Sequence, residues 1–118
     1  MAEMKTYTGG CHCGEVRFEV TADISNVMSC NCSICQKRGA LWVFVPVASF
    51  ALRAGNDDLK DYQFGKKTIH HLFCPQCGVG AFSRGAAPQG EMVAINVRCL
   101  DDVDLASLKM TSFDGKSL

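Results

Sequence analysis

The sequence predicts a mostly β fold of small antiparallel sheets with little helix. About eight short stretches carry strand patterning, and glycines break the chain between them. A third observation is the placement of eight cysteines in C-x-C and C-x-x-C spacings, which suit loops folded around a metal ion. At 118 residues the size prior gives one domain, 1–118, with one core and a thin margin of stability.

Residues 15–21 alternate, with Val16, Phe18 and Val20 on one face, which predicts a half-buried strand. It follows a glycine-bracketed turn over residues 9–14. Residues 27–29 form a short strand that delivers Cys30. Residues 32–38 make about two helical turns, closed by Gly39 in the left-handed conformation. Residues 41–45 are a continuous apolar run, expected as a central strand because both of its faces are apolar. Residues 50–53 continue or return that strand, and 54–58 are a turn. Residues 61–64 and 67–73 pair as a hairpin joined near Gly65-Lys66. Residues 79–83 follow, 84–90 form a loop, and 91–100 make a strong strand. Residues 101–108 are expected as one short helix capped by an aspartate, and the last ten residues as a loosely held tail.

Composition narrows the function. The 47% hydrophobic and 20% charged content is that of a globular protein rather than a disordered one. Twelve basic residues balance twelve acidic ones, which argues against nucleic acid as a partner. Seven thiolate charges against four from two Zn²⁺ ions would leave the chain at about −3. The start of the chain has no apolar signal segment, and the apolar window at 40–45 is stopped by Pro46, far short of a membrane span. The expectation is therefore a cytoplasmic protein without membrane contact, whose thiols are ligands or catalysts rather than disulfides.

The cysteines fall into three groups, with Cys99 left over. Cys74-Pro75-Gln76-Cys77-Gly78 is the most specific. Two thiolates with two residues between them take adjacent corners of a tetrahedron. Pro75 pre-sets the turn, and Gly78 accepts the positive φ that aims amide N–H groups at sulfur. A redox C-x-x-C pair calls for a strand–helix setting that the pattern lacks. A closed structural site needs four ligands, and Cys11 and Cys13 are the natural complement. Structural zinc in small peptides is worth about 10–16 kcal/mol. That rivals the whole net stability of a domain, about 5–15 kcal/mol.

Cys30, Cys32 and Cys35 remain as a set of three. Three protein ligands with one exchangeable position is the pattern of a catalytic zinc. Closure by Cys99 or a histidine would instead make a second structural site. A redox sensor built from free thiols is the third reading. Cys99 alone reads as a small buried hydrophobe, and all-thiolate sites suit iron as well as zinc. His12 lies between two proposed ligands. His70 and His71 occupy opposite faces of a strand, so only one looks inward, as a packed histidine or a proton carrier. Lys37 and Arg38 either hold a substrate carboxylate or form a solvated helix end. Trp42 lines a pocket or packs in the core.

Gly10-x-Cys-x-Cys-Gly14, Cys30-x-Cys-x-x-Cys35 followed by Gln36-Lys37-Arg38-Gly39-Ala40, Phe73-Cys74-Pro75-Gln76-Cys77-Gly78 and Leu100-Asp101-Asp102 occur in this order. Together they resemble the glutathione-dependent formaldehyde-activating enzyme family, which includes centromere protein V, over about residues 7–108. The resemblance implies a β-tent fold with a structural zinc on Cys11, Cys13, Cys74 and Cys77 and a catalytic zinc on Cys30, Cys32 and Cys35. It also implies a carbon–sulfur lyase that joins formaldehyde to glutathione, giving S-hydroxymethylglutathione. A non-catalytic two-zinc module is the alternative, by analogy with the centromeric member. The chain departs from the formaldehyde-active members in lacking their long C-terminal extension. His71-Leu72 also stands where a basic residue often precedes Phe-Cys, so the resemblance carries over the zinc sites but not the glutathione site.

Overall fold

The computed structural model describes residues 4–55, 59–64, 67, 69–88 and 90–114. Among them run β1 (Lys5–Gly10), β2 (Arg17–Ala22), β3 (Asn26–Cys30), α1 (Ser33–Arg38), β4 (Leu41–Pro46) and β5 (Phe50–Ala54). They are followed by β6 (Lys60–Tyr62), β7 (Ile69–Phe73), β8 (Phe82–Ala87), β9 (Gly90–Asn96) and β10 (Lys109–Phe113). The strands form a small sheet, β1-β2-β5, and a large one, β10-β3-β4-β9-β8-β7-β6. The pairings are antiparallel except that of β10 with β3. The mostly β class expected from the sequence is the class observed.

Strand periodicity of two explains where the core sits. Val16, Phe18 and Val20 of the small sheet share one buried cluster with Leu41, Val43, Val45, Phe82, Val93 and Ile95 of the large sheet. Phe18, Phe50 and Phe82 meet there at centroid distances of 4.7–6.2 Å. The intervening residues of the large sheet point the other way. Trp42 joins Cys35 and Ala40 in a second cluster, against which Met28, Cys30, Cys32, Ile34 and Ala94 pack. β4 therefore has a hydrophobic side chain on each face, as its unbroken apolar run implied.

The helix matches its expectation closely. Cys32 occupies the N-cap in extended conformation, and Gly39 at φ 71° closes the C-terminus by donating its N–H to the Cys35 carbonyl at 2.8 Å. Both lysine and arginine of its last turn sit where the helix dipole favours cations.

Six expectations need correction. β1 was not anticipated, and Gly9-Gly10 belongs to this strand rather than to a turn. A Cβ at Gly9 would lie 2.5 Å from the Cys99 carbonyl oxygen, and one at Gly10 2.0 Å from that of Val16, so close backbone approach is what requires glycine. β5 neither continues nor returns β4, because it crosses to the small sheet and pairs with β2. The Gly- and Ala-rich stretch from Arg84 to Ala87 is strand, since its backbone pairs with β9 from Phe82–Ile95 to Ala87–Gly90. β9 ends at Asn96, whose side chain accepts from the Arg98 N–H and turns the chain into a 3-10 segment, Val97–Cys99. The expected helix over 101–108 shrinks to the 3-10 segment Leu105–Ser107, capped by Asp104. Asp101 cannot cap, because Thr8 and Arg17 take its carboxylate. The supposed tail contains β10, which adds to the edge of β3. The turns expected at 56–58 and 65–66 lie outside the described residues.

Candidate metal centres and the adjoining pocket

The sixty residues between Cys13 and Cys74 are bridged by the packing of the two sheets. Cys11 leaves β1, Cys13 sits in the bend that follows, and Cys74 and Cys77 form the turn after β7. Their four sulfurs lie within 4.8 Å of one another. Cys11 Sγ to Cys13 Sγ and Cys13 Sγ to Cys74 Sγ are each 3.6 Å. A tetrahedron with Zn–S bonds of about 2.3 Å has edges of ~3.8 Å, so these spacings suit one ion. The local backbone explains the convergence. The Gly78 N–H donates to the Cys74 carbonyl at 2.8 Å, with Gly78 at φ 79°, and the Val16 N–H donates to Cys11 Sγ at 3.3 Å.

Electrostatics agree with a cation here. The Val79 amide and then that of Cys13 draw the Cys77 thiol down to about 6. The Glu15 amide works in the same direction on Cys13, but burial and the three neighbouring thiols push Cys13 up to about 12. Thiolates crowded this closely repel one another, and a divalent cation offsets that repulsion.

The second group is Cys30, Cys32 and Cys35, whose sulfurs also lie within 4.8 Å of one another. Cys30 ends β3, Cys32 caps α1, and Cys35 lies in its first turn. The Cys32 N–H donates to Cys30 Sγ at 3.4 Å, and the indole Nε1–H of Trp42 donates to Cys35 Sγ at 3.2 Å. Burial and the adjacent Cys32 push the Cys35 thiol up to about 12. Burial opposes ionisation of Cys32 as well, but amides of Cys35 and Ile34 outweigh it and lower that thiol. Among the described residues no fourth cysteine, histidine or carboxylate joins this group. Cys99 packs on the core and feels the charges of Cys11 and Cys77, with burial raising its thiol to about 11. It stands with the four-thiol group and does not close the triad.

Beside the triad opens a cavity of about 340 Å³. Its floor is a cross-strand row on the outer face of the large sheet, in which Phe44 pairs with Ala94, Ala94 with Ser83, and Ser83 with His71. Its walls are Met28, Ile34, Trp42, Phe64, Ile69 and Phe113, with the three cysteines at one end. Phe64 stacks on the His71 ring at 5.3 Å. Of the two adjacent histidines, His70 points outward and pairs with Asp61 at 2.6 Å, while His71 is buried. Burial, and then the Arg38 charge, lower the pKa of His71, so its ring is neutral near pH 7. His12 is exposed.

Lys37 and Arg38 do not line this cavity. They border a neighbouring cleft of about 380 Å³ with Ser33, Ile34, Tyr62 and Phe64, and Ile34 and Phe64 are common to both hollows. The Arg38 guanidinium lies over the Phe73 ring at 5.8 Å and reaches close to Gly80. Both cations are exposed, and Arg38 leans over Phe73. Reasoning on the sequence missed Ser83, Ala94 and Phe64. The available signal was the alternation in β7 to β9, which puts small or apolar residues on the face opposite the core.

Comparison with known proteins agrees with these features. The sequence model described as glutathione-dependent formaldehyde-activating enzyme matches residues 6–114. The crystal structure of a Rhodobacter sphaeroides protein superposes with a TM-score of 0.77 at 30% identity, covering 88% of this chain and 99% of that one. No helix among the described residues is long and apolar enough to cross a membrane. The family is associated with glutathione-dependent activation of formaldehyde, and the two cysteine groups able to hold metal lie within the matched residues. The chain belongs to the glutathione-dependent formaldehyde-activating enzyme family.

Proposed function

We propose that the protein is a zinc-dependent carbon–sulfur lyase acting on a thiol–aldehyde adduct, with glutathione as the thiol and S-hydroxymethylglutathione as the reference product. The carrying observation is the company the triad keeps: three thiols at the end of a substrate-sized cavity, in a chain of this family. We assign Cys11, Cys13, Cys74 and Cys77 to a structural zinc and Cys30, Cys32 and Cys35 to a catalytic one, two ions per chain. A zinc ion on three thiolates supplies a Lewis acid with one exchangeable position.

The chain's own residues do the rest. The Trp42 N–H and the Cys32 N–H steady the sulfurs of Cys35 and Cys30. The apolar walls keep water from the reacting carbon. Lys37, and Arg38 where its packing allows, attract the carboxylates of the peptide thiol in the adjoining cleft. In the forward direction the thiol sulfur bonds to the aldehyde carbon, the C=O becomes C–OH, and the thiol proton ends on oxygen. No electrons are gained or lost. In the lyase direction the same S–C bond breaks. The whole chain would work as one unit in the cytoplasm, where glutathione is abundant.

Zinc analysis followed by an assay of S-hydroxymethylglutathione formation and breakdown tests this reading. Two zinc ions per chain and turnover are expected, with turnover abolished and one zinc retained in Cys32→Ser. Zinc-loaded protein that turns over no aldehyde with glutathione would overturn it.

A further inference from the structure

The cavity beside the triad is far larger than formaldehyde needs. A two-heavy-atom aldehyde fills on the order of 60 Å³, twice the share of a water molecule. The cavity, about 340 Å³, falls instead at the lower end of the ~300–1,000 Å³ range of small-molecule sites. Its lining is aromatic and aliphatic apart from the triad and one pair of polar side chains. That pair is His71 and Ser83, opposite each other across β7 and β8. Their exposure is 8% and 4%, and neither His71 Nδ1 nor Ser83 Oγ has a hydrogen-bond partner among the described residues. Both atoms are sealed beneath the floor, so the surface the cavity offers a ligand beside the thiols is hydrocarbon.

Glutathione itself does not fit that description. Its carboxylates and ammonium group would lose their water in a hollow lined by no charged side chain but the thiols. The adjoining cleft with Lys37 suits them better. Building on the lyase reading, we propose that the aldehyde half of the adduct is an apolar aldehyde with a bulky hydrocarbon body, seated on Phe44, Trp42, Ile69 and Phe113. The oxygen becomes the hydroxyl of a thiohemiacetal: the S–C bond forms, the C=O becomes C–OH, and the thiol proton goes to that oxygen.

Trp42 is the single tryptophan of the chain and lines the cavity, so its fluorescence reads occupancy without turnover. Zinc-loaded protein is titrated with cyclohexylmethanol, an unreactive stand-in for the apolar carbinol, and with methanol. Saturable change is expected with the former at concentrations at least about tenfold lower, the discrimination that even one methylene gives in an apolar pocket. Ile69→Ala, which removes part of the apolar seat at an exposed position, should weaken it by about tenfold, while zinc content and thermal midpoint stay near wild type. Turnover is then compared with glutathione plus cyclohexanecarbaldehyde or formaldehyde. The proposal expects kcat/KM for the cyclic aldehyde to be higher by at least about tenfold. No saturable binding, or equal kcat/KM values with formaldehyde turned over, overturns the apolar substrate and leaves the lyase reading intact. Binding without turnover of either aldehyde overturns the lyase reading, and this proposal with it.

Discussion

Trp42 carries two duties at the scale of one residue. Its ring forms a wall of the cavity, and its N–H donates to Cys35 Sγ at 3.2 Å. Partners of metal ligands typically matter by about 10–100-fold in affinity. Trp42→Phe keeps an aromatic ring, though a smaller one, and loses the donor, so metal at the triad should be released to a chelator at about tenfold lower chelator concentration, while the four-thiol ion is held as before. Equal release from wild type and variant would deny the hydrogen bond any role. His71 gives a pH signature. Burial and the Arg38 charge set its folded pKa below the unfolded value of about 6.5. The folded state therefore resists a proton that the unfolded state accepts, and stability falls as pH drops from about 6.5 toward the folded pKa. In denaturant unfolding of zinc-loaded protein, wild type should lose more stability than His71→Gln between about pH 7.5 and pH 6. Identical slopes would mean that the ring is not desolvated.

At the scale of elements, β10 has a role the sequence did not announce. It pairs in parallel with β3 so that Phe113 lies beside Cys30, and the Phe113 carbonyl accepts from the Asn31 N–H at 3.2 Å. Removing residues after Leu108 should therefore loosen the triad before the four-thiol group, and a metal-release titration should lose one ion early. Simultaneous loss of both ions would contradict this. The polar, weakly patterned Lys-Met-Thr-Ser-Phe segment hid the strand, because only pairing with an open edge makes it one. β1 was hidden for a related reason, since glycine usually signals a turn and here serves close packing. Gly10→Ala puts a methyl into the Val16 carbonyl and should destabilise by about 1–3 kcal/mol or more in chemical unfolding. The strands with clean alternation, the C-cap at Gly39 and the placing of His70 and His71 on opposite faces followed from local pattern, whereas which of the two looks inward did not. The three-dimensional company of Ser83, Phe64 and Ala94 did not, because register between distant strands assembles it.

At the scale of the molecule, the large sheet separates two thiol groups with different surroundings. The four-thiol group includes Cys11 and Cys74, buried in the main core where both sheets meet, so an ion held there would cross-link segments some sixty residues apart. The triad sits on the opposite face, next to a cavity. Spacing alone divided the cysteines this way, since seven thiols in these motifs leave one group a ligand short of four. Spacing could not exclude Cys99 as an eighth ligand, and its place near Cys11 and Cys77 does so here. The central claim is that one ion is enclosed and the other keeps an exchangeable position. Elemental analysis combined with X-ray absorption at the zinc edge tests it most directly. The account predicts two zinc ions sharing seven sulfur ligands, with one oxygen or nitrogen neighbour that changes when a small thiol is added. A single ion, or eight sulfurs over two ions before any thiol is added, would contradict it.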